Sequence, residues 1–376
     1  MADFKKLDAL MESLPHGGIP AADLIVTHQG ETVYRKQVGY SDLEGTRPVS
    51  NSDLYWLFSA TKVVTCLAAM RLVEEGRLSL SDPVSKYLPA YGKITVKRAD
   101  GSVTPAENVM TVEHLFTMSG GMTYDVDWKR IAAVRELNLG TVSIVEDMAG
   151  APLAFEPGTH FRYSLCHDVL AAVVEVVSGM PFSQYLDKIM FTPLGIREMG
   201  FFPTPEQETR FSAMYTAESG TCRAIPRATK NEYIITDRYE SGGAGLFARA
   251  EEYIKILTPL SLGGTAKNGY RLLKPETVAM LGEGRLSPEV QRDFMPDRLF
   301  GYSWGLCGRA HVDPLISHAR SAKGEFGWDG AAGAFALADP TNGVALFLAM
   351  HVRGCNYAYH HVHPTVRDLA FEGLGI

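Results

Sequence analysis

Apolar residues follow two kinds of spacing along this chain, and the spacing changes several times. In residues 22–39 they gather on either side of a turn at Gln29-Gly30. Leu24, Ile25 and Val26 lead in, Val33 to Val38 lead out, and Gly39 closes the unit. That pattern predicts two strands. From Ser59 the period becomes helical, with Val63, Leu67, Met70 and Leu72-Val73 on one apolar face and Gly76 where a C-terminal cap belongs. Residues 80–240 read as short helices cut by Pro and Gly. Val112 to Met118, His167 to Ser178 and Phe182 to Phe191 are examples, the last stopped by Pro193 and Gly195. Strand-like runs return at Gly245 to Ala248, Tyr302 to Cys307, Gly333 to Ala338 and Val344 to His351, with helices expected at Ala250 to Leu260 and Thr365 to Phe371.

The order strands, helices, strands predicts an α/β domain built from both chain ends, 1–80 and 241–376, around a mainly helical insertion at 81–240. A length of 376 residues fits such a two-lobed unit. The cleft between the lobes is the expected place for a ligand.

Composition narrows the function class. Hydrophobic residues at 46% and charged residues at 21% are ordinary globular usage and exclude disorder. A net charge of −7 without any basic block excludes a nucleic-acid footprint. Cys66, Cys166, Cys222, Cys307 and Cys355 are far apart, odd in number and form no CxxC pair, so neither a zinc site nor a disulfide framework is expected. Met1 to Lys6 lead into a short amphipathic stretch ending at Pro15-His16-Gly17-Gly18, without a signal-type apolar region, and no apolar run has membrane-spanning length. The expectation is a cytoplasmic protein with no membrane partner.

The candidate chemistry starts at Phe58-Ser59-Ala60-Thr61-Lys62-Val63. Residues three apart share a helical face, so the Ser59 hydroxyl and the Lys62 amine can meet. A helix N-terminus points N–H groups at Ser59 and favours negative charge there. A serine hydroxyl needs such a neighbouring base to act as a nucleophile. Alone, an S-x-x-K tetrad is a weak signal, equally compatible with a capping serine and an exposed lysine.

The surrounding segments make it specific. Ser59-Ala60-Thr61-Lys62 followed by Val63-Val64-Thr65 resembles the serine β-lactamase and penicillin-binding-protein superfamily, especially its class C-like branch and the β-lactamase-like family VIII carboxylesterases. The resemblance continues through Leu72 to Val84 and through Thr111-Val112-Glu113-His114-Leu115-Phe116-Thr117-Met118-Ser119-Gly120-Gly121. It extends over Phe155 to Thr159, Phe161-Arg162-Tyr163-Ser164, Pro193 to Ile196 and Ser241 to Leu246, in the expected order. It implies the α+β β-lactamase/transpeptidase-like fold, an antiparallel sheet flanked by helices with a helical insertion.

The resemblance also assigns roles. Tyr163 stands at the family's Y-x-N tyrosine, a proton acceptor from serine and donor to the leaving group. Leu165 replaces the usual Asn, which removes a polar contact near the lysine. Phe326-Gly327-Trp328-Asp329-Gly330-Ala331 matches the third motif, and Trp328 replaces the lysine that would meet a substrate carboxylate. Asp329 adds a negative charge expected to disfavour anionic substrates, and Gly330-Ala331 allow close backbone approach. The oxyanion hole would use the backbone N–H groups of Ser59 and Ala331. Tyr124 and Trp304 are expected near the acyl pocket. Unperturbed, Lys and Tyr are each only about one part in a thousand deprotonated at pH 7, so Lys62 and Tyr163 are read as a coupled pair, with the formal base left open.

Two other signals are set aside. Gly301-Tyr302-Ser303-Trp304-Gly305 matches G-x-S-x-G, but that motif needs a following helix, and Leu306-Cys307-Gly308-Arg309 reads as continuing strand. His351, His360, His361 and His363 lack ligand partners at metal spacing and are read as polar surface or capping residues. His167 is expected at the start of the helix that follows Tyr163. The expectation is a serine hydrolase without metal or cofactor, acting on small carboxylic esters or amide analogues through acyl-Ser59. A β-lactamase, a D-alanyl-D-amino-acid peptidase and a non-catalytic binding homologue are the alternatives.

Overall fold

A computed structural model describes residues 2–125, 133–218, 223–295 and 298–376; Met1 and Cys222 lie outside them. Helix α1 (Lys5–Ser13) precedes the hairpin of β1 (Ala21–His28) and β2 (Glu31–Gly39). Helix α2 (Thr61–Glu74) follows, and then shorter elements lead to α3 (Cys166–Ser178) and α4 (Ala250–Ser261). The chain returns as β3 (Tyr302–Gly305), β4 (Gly308–His311), β5 (Phe326–Gly327), β6 (Phe335–Asp339) and β7 (Val344–Met350), and closes with α5 (His363–Leu374).

The seven strands form one antiparallel sheet in the order β3-β4-β5-β6-β7-β1-β2. Segments from both ends of the chain therefore pair within it, where Leu24 faces Leu348 and Ile25 faces Phe347. Successive side chains point to opposite faces, which explains why β7 is buried at every position. On one face Ile25 and Phe347 join the main core, with the Tyr253 ring of α4 stacked on Phe347 at 4.3 Å. On the other, Leu24, Leu346 and Leu348 pack against Leu7 and Met11 of α1 and Val366 and Phe371 of α5.

Helix α2 is buried from Thr61 to Met70, on all sides rather than along one stripe. A helix apolar all round belongs in the middle of a core, and α2 lies against α3 there. No single helix among the described residues is long and apolar enough to cross a membrane.

Three expectations are corrected. The run Tyr302 to Cys307 stops at Gly305, and Gly308 to His311 turn back as a separate strand, with Trp304 opposite Arg309. The strand expected from Gly245 to Ala248 is two residues, Phe247–Ala248. The C-terminal helix starts at His363, because Pro364 in the first turn needs no N–H partner.

Candidate active site

The backbone turns sharply before the nucleophile candidate. Phe58 has φ +46°, a conformation that costs a bulky residue energy and persists only where packing enforces it. Here the enforcement is visible: the Phe58 ring is fully buried, with the Arg353 guanidinium 4.6 Å from its centre. Ser59 sits in the 3₁₀ turn Phe58–Ala60 that leads into α2, rather than in the α-helix itself. The turn is tied from behind by Tyr253, whose hydroxyl donates to the Ala60 carbonyl at 2.7 Å, and by Leu246 N–H on the Thr61 hydroxyl at 3.1 Å.

Lys62 is buried on the next turn, and its Nζ lies 3.2 Å from Ser59 Oγ, 3.1 Å from the Tyr124 hydroxyl and 2.8 Å from the Gly243 carbonyl. As an ammonium, Lys62 donates to all three. As an amine it keeps two donors and turns its lone pair to the serine proton, so the same geometry suits both states. Burial pulls its pKa down to about 8, against the smaller opposing effects of Asp168, Cys66 and Cys166. At pH 7 a group with that pKa is about one-tenth neutral, some hundredfold more than an unperturbed lysine.

Tyr163 moves the other way. Burial raises its pKa, against the stabilising hydrogen bonds of Ser59 and Trp328. The Trp328 indole N–H donates to the Tyr163 hydroxyl at 2.8 Å, and the Lys62 ammonium stands 4.7 Å from the Tyr163 ring centre. Environments that push two groups apart in this way sort them into roles. Lys62 is suited to accept a proton near neutral pH, and Tyr163 to hold one.

The third motif reaches the nucleophile by backbone. A Cβ on Gly330 would lie 2.3 Å from the Leu57 carbonyl oxygen, so only glycine allows this approach to the residue two before Ser59. The loop is held by Gly330 N–H on the Ala334 carbonyl at 2.7 Å and by the Tyr359 hydroxyl on the Gly330 carbonyl at 2.8 Å.

Among the other expected residues, Tyr124 packs on Tyr163 with ring centres 5.9 Å apart. Leu165 is a buried core residue at the N-cap position of α3, with no side-chain cap. The polar contact expected to be lost with the missing Asn is supplied to Lys62 by Tyr124 and Gly243. Trp304 is fully buried, donates its indole N–H to the Phe116 carbonyl at 2.8 Å and packs edge-on to Trp328 at 4.5 Å. It is a wall behind the motif rather than a lining of the pocket.

The charge argument for Asp329 is also corrected. Its carboxylate meets Arg309 at 3.0 Å and pairs with Arg298, and the nearby arginines and His363 hold its pKa far below the usual range in spite of burial. The negative charge is thus compensated and presents no bare anion to a substrate.

Ser303 donates to Gln291 at 2.6 Å. Ser303 also lies in a strand–turn–strand instead of a strand–turn–helix. Two of the histidines read as surface residues are buried. His351 accepts from Trp56 N–H at 2.7 Å and faces the Ser212 carbonyl at 2.8 Å, with its pKa pushed down to about 4 by burial. His363 contacts the Gly333 carbonyl at 2.9 Å and stacks on Phe335 at 4.6 Å. His167 lies at the head of α3, 3.2 Å from the Phe116 carbonyl, and burial pushes its pKa down to about 3. No group of three or more metal-ligating side chains occurs among the described residues.

Sequence reasoning missed the Gly243 carbonyl, Asp168 and the Arg298–Arg309 pair. Asp168 had a readable signal, a lone carboxylate opening an apolar helix five residues after Tyr163.

Comparison with known proteins shows the family and the fold. The family model described as Beta-lactamase matches residues 6–359. Esterase EstB from Burkholderia gladioli is 28% identical over 368 residues, covering 91% of this chain and 89% of the relative. Lovastatin esterase from Penicillium rubens is 31% identical over 275 residues, covering 70% and 68%. The structure described as EstCE1, a hydrolase with promiscuous acyltransferase activity, superposes with a TM-score of 0.80 at 24% identity, covering 98% of both chains, which is a likeness of fold. With the family match running over nearly its whole length, this chain belongs to the beta-lactamase family and is a hydrolase of the beta-lactamase fold.

Proposed function

We propose that the chain is a serine esterase that cleaves small carboxylic esters through an acyl-Ser59 intermediate. Lys62 takes the Ser59 proton as Oγ attacks the ester carbonyl, and the oxyanion forms against the N–H groups of Ser59 and Ala331. Tyr163, kept protonated by its surroundings, donates to the departing alkoxide and is reprotonated by the Lys62 ammonium, which restores the amine; in deacylation water attacks the acyl carbonyl, gives its proton to Lys62, and Ser59 Oγ leaves taking a proton. The substrates and the fate of the acyl group are those of an acyl hydrolase; no cofactor enters the scheme.

The observation that carries the esterase reading is the bond from Trp328 to the Tyr163 hydroxyl at 2.8 Å. The indole stands at the motif position where the resemblance expects a cation for a substrate carboxylate, and its donor is spent on the tyrosine. A site of this kind favours neutral acyl groups over the anionic β-lactams. The names of two relatives, EstB and lovastatin esterase, support the same reading.

The test compares steady-state hydrolysis of a p-nitrophenyl ester with that of a cephalosporin. Ester preference is expected, and a clear cephalosporin preference sinks the esterase assignment. Ser59→Ala and Tyr163→Phe should each lose most turnover with the fold intact. Mass spectrometry after a fluorophosphonate probe should place the adduct on Ser59, and its absence would favour a non-catalytic binding homologue.

A further inference from the structure

The base of the proposed mechanism is itself held by a carboxylate that no motif names. Asp168, at the head of α3, is 1% exposed, and its Oδ1 accepts from the Tyr239 hydroxyl at 2.7 Å and the Ser241 hydroxyl at 2.6 Å. Its Oδ2 has no hydrogen-bond partner among the described residues and lies against Gly243, where an added Cβ would stand 2.3 Å away. The segment so gripped, Ser241-Gly242-Gly243, is the one whose carbonyls bind helix α2: Gly242 accepts from the Thr65 hydroxyl at 2.7 Å, and Gly243 from Lys62 Nζ at 2.8 Å. A buried carboxylate with an open oxygen stands beside the loop that orients the buried amine.

We propose that Asp168 is the positioning residue of the Ser59–Lys62 pair, fixing the Gly243 carbonyl on the amine and stabilising the ammonium that forms when Lys62 takes the serine proton. This rests on the assignment of Ser59 as nucleophile and Lys62 as its base. The titratable groups around Lys62 are Cys66 on its own helix, Cys166, His167 and Asp168 on α3, and Tyr124 and Tyr163 from the facing wall. Burial holds the His167 imidazole neutral and raises both thiols and both phenols, as it raises Tyr91 and Tyr239 around Asp168. Of the groups that oppose the lowering of the Lys62 pKa, the Asp168 carboxylate is the largest. It does for the lysine what the third member of a catalytic triad does for a histidine, orienting the base and favouring its protonated form.

The pH dependence of Ser59 labelling by a fluorophosphonate probe tests the assignment, with circular dichroism reporting the fold. In Asp168→Asn the amine loses a stabilising anion, so the inflection should move down by about one pH unit while the plateau rate falls several-fold. A folded Asp168→Asn enzyme with an unmoved inflection overturns the proposal. Ser241→Ala keeps the carboxylate and removes one of its clamps, so the plateau should fall without a downward shift of the inflection; a wild-type plateau overturns the clamp even if Asp168→Asn does not fold. Ser59→Ala separates the two layers. Labelling that persists in it overturns the nucleophile assignment, whereas a silent Ser59→Ala beside an unshifted Asp168→Asn overturns only the role of Asp168.

Discussion

Trp328 and Tyr163 are joined by a hydrogen bond in which the indole N–H donates to the phenol oxygen at 2.8 Å, with their rings 5.6 Å apart. The bond fills one lone pair of the hydroxyl and leaves its proton free for the serine or the leaving group. Trp328→Phe keeps an aromatic side chain and removes the donor. A neutral hydrogen bond is worth about 1 kcal/mol, so kcat should fall about fivefold to tenfold with KM little changed. Steady-state kinetics on a p-nitrophenyl ester checks it, and an unchanged kcat would show that the bond plays no part in orienting Tyr163.

The lowered pKa of Lys62 gives activity a definite pH limb. If the neutral amine is the base, kcat/KM should rise with pH and level off above an apparent pKa of about 8. A limb centred near 10 would mean that burial does not perturb the amine as described.

The same lysine weighs against stability. Its folded pKa lies below the ordinary lysine value of 10.5, so between about 8 and 10.5 the unfolded chain binds more protons and stability rises with pH. Below about 8 the buried charge exerts its full cost, on the order of 3 kcal/mol. Lys62→Met should therefore abolish turnover and raise Tm at pH 7, as a thermal melt of both proteins would show. A Tm below wild type would indicate that packing around the amine outweighs its charge.

Asp329 is predicted to behave in the opposite sense. It pairs with Arg309, which is 2% exposed and also meets Glu325 at 3.1 Å, and with Arg298. Asp329→Asn leaves a buried guanidinium short of a partner, a loss of about 3 to 5 kcal/mol. Because the folded carboxylate titrates below its ordinary value, this stabilisation is present above the unfolded pKa near 4 and is lost only as pH falls through the lower folded value. Urea melts at pH 7 should show the full difference. Equal midpoints would remove Asp329 from the stability of the motif.

Gly330→Ala tests the backbone approach. The new Cβ meets the Leu57 carbonyl oxygen at 2.3 Å, so the loop must retreat from the Ser59 turn. Activity should fall by about a hundredfold, the scale of one lost oxyanion donor. Fluorophosphonate labelling would read the loss, and wild-type labelling would place the oxyanion elsewhere.

Local pattern carried much of the molecule. The hairpin at Gln29-Gly30 and helix α2 were legible because turn residues mark their ends, whereas the burial of α2 on all sides was not, since its apolar spacing pointed to one face. The tight turn at Leu306-Cys307 was not, since apolar residues on both sides of a buried turn look like one strand. Ser59, Lys62, Tyr163 and Trp328 could be named from motifs. The environments that give them different tasks could not, because burial of Lys62 and the Gly243 carbonyl that meets it come from segments 181 residues apart. His351 and His363 were misread for the same reason, as polar residues whose partners lie far away in the chain.

The central seam of the sheet has a temporal consequence. Leu24 cannot find Leu348 until the last strand of the sheet has been made, and the Trp328 carbonyl is held by the Ala336 N–H of β6, the neighbour of that strand. Pairing over such a distance is slow, and the N-terminal hairpin must wait for it with one edge uncovered. During synthesis the growing chain therefore carries its serine, lysine and Tyr163 early, while the third motif at Trp328 to Ala331 arrives near the end. Hydrolysis should begin only on completed chains. A protein released before β7 would be a target for chaperones and proteases rather than a weakly active enzyme.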